Sequence, residues 1–237
     1  MNIHSYYEYT VYMMKTSSYI ESKGAQMTEQ DKLSRRQRER RRHKEEILSA
    51  ALKLFSEKGF HNVSMQEIAA RAEFATGTLY NFFASKEALF EEMTLSWGDR
   101  IVSDLSAILD GPGDEVDRLR NFILQQPLLQ ETHAEFIKVY VSEFGTRGAK
   151  VSKERKENEF HAILDTKLTQ LLEAGIAKGV FRPVDATVTA KALHSIMETL
   201  AFELASHFDK AKATEAFAKV EQLFLEGLLL PGANTDA

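Results

Sequence analysis

Long runs of apolar residues three and four positions apart limit what this chain can fold into. Leu89, Met93, Trp97, Ile101, Leu105 and Ile108 advance by four, four, four, four and three, which keeps them on one stripe of a helix. Ile47, Leu48, Ala51, Leu52, Leu54 and Phe55 repeat the period and stop just before Gly59, where a helix C′ glycine is expected. Glycine and proline are sparse, at 12 and 4 of 237 residues. After Met27 they divide the chain at Gly59, 111–113, Pro127, 145–148, 179–183 and Pro231. Blocks near 115–125, 131–144, 151–178, 186–208 and 214–230 keep the helical period, and none shows strand alternation. The chain is expected to be all-α without solenoid repeats, and Gly98 marks a place where its helix is expected to bend.

Composition removes several classes of function. Cysteine is absent, which excludes disulfide frameworks, thiolate zinc clusters and thiol nucleophiles. No apolar run approaches the roughly 18 to 20 residues that cross a bilayer, and the N-terminus lacks the pattern of a secretory signal, so a cytoplasmic protein without a membrane partner is expected. Neither a Gly-rich phosphate loop nor an HExxH pair is present, and no cofactor is expected. Residues 1–26, rich in Tyr and Ser, are read as a poorly ordered tail, as an upstream extension of a protein beginning at Met27, or as a short strand or helix. Charge is the uneven quantity. Net charge is −5 for the whole chain, yet residues 32–44 carry eight basic groups against the single acid Glu39, and the part from Glu91 onward is strongly acidic. Such asymmetry points to a polyanionic partner for the first part.

Ser64-Met65-Gln66-Glu67 has the form of a capping box and predicts a helix start. That helix has room to run only through Arg71 before a turn at 72–75 and a second short helix over 76–83. Two short helices joined by such a turn, with the helix ending near Lys58 as a third face, make a helix-turn-helix unit. At 100° per residue Leu79 and Phe83 share the inner face, Gly77 and Asn81 point away, and Thr78 and Tyr80 flank them. Phe82 falls between the faces. The outer set suits the major groove: Gly77 permits close approach, Asn81 can pair with adenine in bidentate fashion, Thr78 offers a hydroxyl and a methyl, and Tyr80 reaches toward phosphate. The alternative is a generic helical hairpin, for which Leu79 and Phe83 would look the same.

The run NVSMQEIAARAEFATGTLYNFFASKEALFEEM resembles the N-terminal domain of the tetracycline-repressor (TetR) family of bacterial transcriptional regulators, with EIAARA, GTLYNFF and SKEALF standing at that family's motif elements. The likeness covers roughly residues 44–93. It implies a homodimer on a double-stranded operator of two half-sites, and a helical C-terminal domain whose small apolar or amphipathic effector loosens DNA binding. It also implies DNA contacts from Ser64, Gln66, Thr76, Thr78, Tyr80, Asn81 and Lys86, beside the outward Gly77. Two positions depart from the pattern: Glu73 replaces the usual turn glycine, and Ala75 replaces the usual hydroxyl cap, leaving Thr76 as a displaced cap.

The basic run Arg35, Arg36, Arg38, Arg40, Arg41 and Arg42 is read either as a solvated flexible arm or as a DNA arm reaching phosphates and the minor groove. Cations just before a helix N-terminus oppose its dipole, so they do not serve the helix itself. The expected organisation is a tail over 1–30, an arm with helix-turn-helix over 31–90, and an effector and dimerisation domain over 91–237. In the last part Trp97, Phe122, Phe136, Tyr140, Phe144, Phe160 and His161 are the candidate pocket residues, with ordinary core as the alternative. Leu193, Ile196, Met197, Leu200, Leu204, Phe217, Leu223 and Phe224 are the candidate dimer face, because the last two helices are apolar over much of their circumference. His194 with Glu198, and Glu203 with His207, have the i, i+4 spacing of metal ligands, but such pairs also arise as surface hydrogen bonds and no metal is assigned. A ligand-responsive repressor is the leading reading. A DNA organiser without small-molecule control and a helical-bundle enzyme are the alternatives.

Overall fold

A computed structural model describes residues 34–144, 155–205 and 207–230; the tail expected over 1–30 and the Phe144 side chain lie outside the described residues. The helices in chain order are α1 (Arg35–Lys58), α2 (Met65–Arg71), α3 (Thr76–Tyr80), α4 (Lys86–Leu109), α5 (Glu115–Leu124), α6 (Gln126–Thr132), α7 (Ala134–Phe144), α8 (Arg155–Ala177), α9 (Ala186–Ala205) and α10 (Lys210–Leu228). A 3-10 turn, Phe60–Asn62, follows α1. Among the described residues the only β-type pairing is one antiparallel bridge, Phe181 with Leu229, and no helix is long and apolar enough to cross a membrane. The chain divides into two units, Met1–Glu45 with Asn234–Ala237, and Glu46–Ala233.

In the first unit the described residues are Ser34 and the opening turns of α1. The Arg-rich run is helical here, and it starts on a box that the sequence also carries. The Ser34 amide donates to Gln37 Oε1 at 2.8 Å, and the Gln37 amide donates to Ser34 Oγ at 3.3 Å. No acid lies in the first turn, so this cap works against an unfavourable charge–dipole term of about 0.3–1 kcal/mol per well-placed cation.

The second unit holds two apolar clusters. Ile47, Leu54, Phe55, Ile68, Leu79 and Phe83 belong to the first, together with Leu89, Met93 and Trp97 from α4 and Phe136 and Val139 from α7. Leu105, Ile108 and Leu109 of α4 belong to the second, with Leu119, Phe122, Leu168, Leu193, Phe217 and Leu228. Helix α4 therefore runs unbroken from one cluster into the other. Gly98 sits inside this continuous helix: a Cβ there would lie 2.6 Å from Phe160 Cε2, so the glycine lets the α8 ring rest against the α4 backbone. Two boundaries differ from expectation. Pro127 opens α6 instead of ending a block, since a first-turn proline lacks only an amide that would be unpaired anyway. Helix α10 starts at Lys210, before Thr214, because the Asp209 carboxylate accepts from the amides of Ala211 and Lys212.

The turn between α2 and α3 carries local strain. Glu73 has φ 59°, the one non-glycine residue with positive φ among those described, where an L side chain costs about 1–2 kcal/mol. Glu73→Gly is expected to raise unfolding free energy by about 0.5–1 kcal/mol, after glycine's larger unfolded-state entropy is set against the relieved strain. Urea unfolding of the two proteins measures this directly.

Candidate functional site

The helix-turn-helix is built on a paired cap. Ser64 Oγ accepts from the Glu67 amide at 3.2 Å, and the Ser64 amide donates to Glu67 Oε2 at 2.8 Å. Lys58 Nζ lies 2.7 Å from Glu67 Oε1. This ammonium first, and then the Ser64 amide and hydroxyl, pull the Glu67 pKa down to about 2. With the folded value depressed, the ionised cap's contribution is complete above the ordinary value of 4.5 and is lost as pH falls through about 2.

Burial along the second short helix follows the expected faces. Leu79 is fully enclosed and Phe83 nearly so, while Tyr80 is 51% exposed. Gly77 and Asn81 are exposed, and Thr76 and Thr78 are half-buried. A Cβ at Gly77 would meet nothing within 4 Å, so this face is open for close approach. Phe82 is half-buried and packs on the first cluster, which settles its intermediate angle toward the core. Helix α3 is shorter than the 76–83 span expected: it ends at Tyr80, and Asn81 is its C-cap at φ −74°, ψ −17°. The Phe82 amide bonds the Leu79 carbonyl at 2.9 Å, a three-residue closure that tightens the last turn. Ala75 is the N-cap and makes no side-chain cap bond, so Thr76 is the first helical residue and not a displaced cap.

The other expected contact residues are placed as follows. Gln66 is exposed, whereas the half-buried Ser64 hydroxyl is engaged with Glu67. Lys86 is turned inward: its Nζ donates to the Phe60 carbonyl at 2.8 Å and the Val63 carbonyl at 2.9 Å, and lies 4.4 Å from the Phe60 ring centroid. Two of its three donors thus close the loop between α1 and α2, so the residue expected as a DNA contact also has a structural role. Arg35, Arg36, Arg38, Arg40 and Arg42 are exposed and Arg41 is half-buried. Arg35 pairs with Glu39 at 3.1 Å and Arg41 with Glu45 at 3.8 Å, surface contacts of about 0.3–0.5 kcal/mol at most.

The second site is an apolar cavity of about 180 Å³ among α4 to α9. Phe122, Phe136, Tyr140, Phe160 and His161 line it. Trp97 does not; it stacks on Phe136 with centroids 6.4 Å apart and belongs to the helix-turn-helix core. The apolar wall includes Ile101, Leu105, Leu164 and Phe202. Polar groups that spacing along one helix did not reveal complete it. His161 Nε2 meets Glu198 Oε1 at 3.0 Å and His194 Nδ1 meets Asp165 Oδ1 at 2.6 Å, so His194 and Glu198 pair across α8 and α9 instead of with each other. Burial acts to raise the Glu198 pKa, but the hydrogen bond and charge of His161, with the charge of His194, outweigh it and hold the carboxyl below its ordinary value. Glu203 and His207 do not share a helix, because α9 ends at Ala205.

Gln126 and Gln130 of α6 and its C-cap His133, at i, i+4 and i+7, form a third part of this wall. Gln126 Nε2 donates to the Phe122 carbonyl at 3.1 Å, and His133 Nε2 lies 2.9 Å from Asp104 Oδ2. Gln130 is 3% exposed, and neither its Nε2 nor its Oε1 has a partner. An enclosed amide left in this state costs about 1–3 kcal/mol per unsatisfied group.

The candidate dimer residues separate into two sets. Leu193, Met197 and Phe217 are enclosed within their own chain, a correction to their placement on a dimer face: the apolar circumference of α9 and α10 is wide partly because each helix packs against several neighbours. Leu223 is 65% exposed, and Val188 of α9 is 63% exposed. Ile196, Leu200, Leu204 and Phe224 are half-buried.

A capped helix-turn-helix with an open outer face, joined through a shared helix to a helical body with an apolar cavity, is the architecture of a DNA-binding transcriptional regulator. Two family models match accordingly, the bacterial regulatory proteins of the tetR family over residues 47–93 and the tetracyclin repressor-like C-terminal domain over 112–202. The regulator YhgD of Bacillus subtilis is 30% identical over 162 residues, 66% of this chain and 81% of that protein. The transcriptional repressor KstR2 of Mycobacterium tuberculosis is 27% identical over 145 residues, 58% of this chain and 68% of the relative. Among solved structures, FadR of Bacillus subtilis in complex with stearoyl-CoA has a TM-score of 0.63 at 18% identity, covering 77% of this chain and 98% of that one. The chain belongs to the TetR family.

Lys86→Met is expected to lower unfolding free energy by about 1–3 kcal/mol, because the Phe60 and Val63 carbonyls each lose a charged donor. Thermal and urea unfolding check this. A change confined to DNA affinity, with stability intact, would leave Lys86 as a DNA contact without the structural role.

Proposed function

We propose that the protein is a ligand-responsive repressor that acts in the cytoplasm as a homodimer on a roughly palindromic operator, and that it is not a catalyst. Residues 31–90 serve DNA binding and residues 91–237 serve effector binding and dimerisation. Thr76, Gly77, Thr78, Tyr80 and Asn81 meet the groove, Ser64 and Gln66 lie at the start of α2 beside it, and Arg35, Arg36, Arg38, Arg40, Arg41 and Arg42 neutralise phosphate. The effector enters the α4 to α9 cavity. The dimer face is the exposed part of α9 and α10 around Leu223, with Ile196, Leu200, Leu204 and Phe224 at its edge.

The observation that carries this reading is the shared wall. Phe136 lines the cavity and also packs in the cluster behind the recognition helix, and α4 supplies Thr94, Gly98 and Leu105 to the cavity while Leu89 and Met93 hold the helix-turn-helix. A molecule filling the cavity and a DNA backbone fitting α3 therefore act on the same helix. Ligand and operator lower each other's affinity when they favour different α4 positions. The repressor sense is supported by the likeness to the transcriptional repressor KstR2, and an effector site by the stearoyl-CoA held in the FadR neighbour.

Footprinting on DNA upstream of the protein's own gene tests the reading: protection of a two-fold symmetric site is expected, and uniform coverage or none would sink it. Asn81→Ala is expected to lose discrimination at one or two base pairs, about 1–3 kcal/mol, in competition binding against operator variants. Replacing the six arginines of 35–42 with glutamine is expected to flatten the salt dependence, each lost phosphate contact removing about 0.9 from the log–log slope.

A further inference from the structure

We infer that the cavity takes an amphiphilic amine, an apolar body carrying one ammonium group, and that the Glu198 carboxylate is the side chain that receives the ammonium. The inference deepens the effector reading above and rests on it.

One face of α9 forms a wall of the cavity: His194, Met197, Glu198, Ala201 and Phe202 stand at i, i+3, i+4, i+7 and i+8. Glu198 is at the middle of this face with its side chain 31% exposed, and it is the one acid among the described lining residues. His161 of α8 meets its Oε1 at 3.0 Å, while its Oε2 takes no hydrogen bond among the described residues. A carboxylate oriented through one oxygen thus keeps the other for an incoming donor. Burial acts to raise the Glu198 pKa, but His161 and the charge of His194 hold it below the ordinary value, so the group is ionised at neutral pH. One turn along the same face is Phe202, whose ring centroid lies 5.6 Å from that of Tyr140, and both rings line the cavity. Aromatic faces within about 6 Å attract a desolvated cation.

Charge narrows the class. No Lys or Arg occurs among the described lining residues, and the three imidazoles there, His133, His161 and His194, are each bonded to a carboxylate. An anionic ligand would give up its hydration beside Glu198 without gaining a free cation. A neutral ligand closing over the site would shut this carboxylate away from water with no counter-charge beyond the imidazole. An ammonium supplies that charge, and the apolar wall of Ile101, Leu105 and Leu164 takes the hydrocarbon. The volume of about 180 Å³ sets the scale: a cavity of about 150 Å³ accommodates benzene, so a short alkyl chain or a single ring is the size class.

Calorimetric titration of the full chain at about pH 8 with n-octylamine, 1-octanol and octanoate, alike in length and different in charge, tests the class. Octylamine, still an ammonium at that pH, is expected to bind at least about 10-fold more tightly than either of the others. Glu198→Gln, which keeps the shape and an oxygen for His161, is expected to weaken octylamine about 10- to 100-fold while leaving octanol within about 3-fold. The charge series on the unsubstituted chain stands whether or not this variant folds. Equal or tighter binding of octanol or octanoate to that chain, or octylamine affinity unchanged by Glu198→Gln, overturns the inference and leaves the effector site standing, since a probe still occupies it. Silence of all three probes overturns the inference together with the effector reading, whatever the footprint shows.

Discussion

Helix α4 has to satisfy two cores at once. Its first half gives Leu89, Phe90, Met93 and Trp97 to the cluster under the recognition helix, its second half gives Leu105, Ile108 and Leu109 to the helical body, and partly buried Ile101 touches both. Close-packed interiors do not deform continuously. A shift demanded at one end of such a helix is therefore transmitted to the other or resisted as a whole. Helix α7 makes a second tie, with Phe136 and Val139 in the first cluster and Lys138 Nζ bonded to the Ser56 carbonyl at 3.0 Å. The tie continues as an aromatic series: Trp97 on Phe136, Phe136 near Tyr140 at 5.8 Å, and Tyr140 near Phe202 at 5.6 Å. The expected division at residue 90 falls inside this helix, so the change of role along the chain is not a break in its packing.

What the sequence revealed and what it hid follow from the range of the interactions concerned. The Ser64–Glu67 box, the inward Leu79 and Phe83, and the Gly59 terminus with φ 80° are set within four residues, and local spacing discloses them. The Ser34–Gln37 box has the same four-residue form, yet the arginines around it mask it in the sequence, where the run reads as an arm. The end of α3 was misplaced because periodicity does not register a switch to i→i+3 closure. Glu73 stands out against the family pattern, and its positive φ is the conformation that a glycine would take at that turn.

The cavity was half legible. Aromatic residues announce apolar volume, but whether a ring borders a void or fills a core depends on distant partners, as Trp97 and Phe136 show from opposite sides of one stack. Gln126, Gln130 and His133 lie at helical spacing, yet polar residues at that period ordinarily mark a solvated face; the packing of α6 against α5, α7, α9 and α10 turns them inward. The pairing of His194 with Asp165, not with Glu198 four residues away, is likewise invisible along one helix. Leu193, Met197 and Phe217 show the same limit, since a wide apolar stripe does not say whether its burial comes from its own chain or from a second copy.

The cations of the helix-turn-helix body are largely committed at home. Lys58 faces Glu67, Arg71 faces Glu57, and Lys86 faces two carbonyls; over residues 46–90 four basic groups meet five acids. The body that reads the bases has almost no long-range pull of its own, and on the proposed reading that pull comes from the arginine run. Encounter and retention then rest on different residues. On that proposal the run sets how fast duplex is found and is sensitive to ionic strength, whereas the surface around Asn81 sets how long the right site is kept, so variation in one would tune search speed while leaving the choice of sequence untouched.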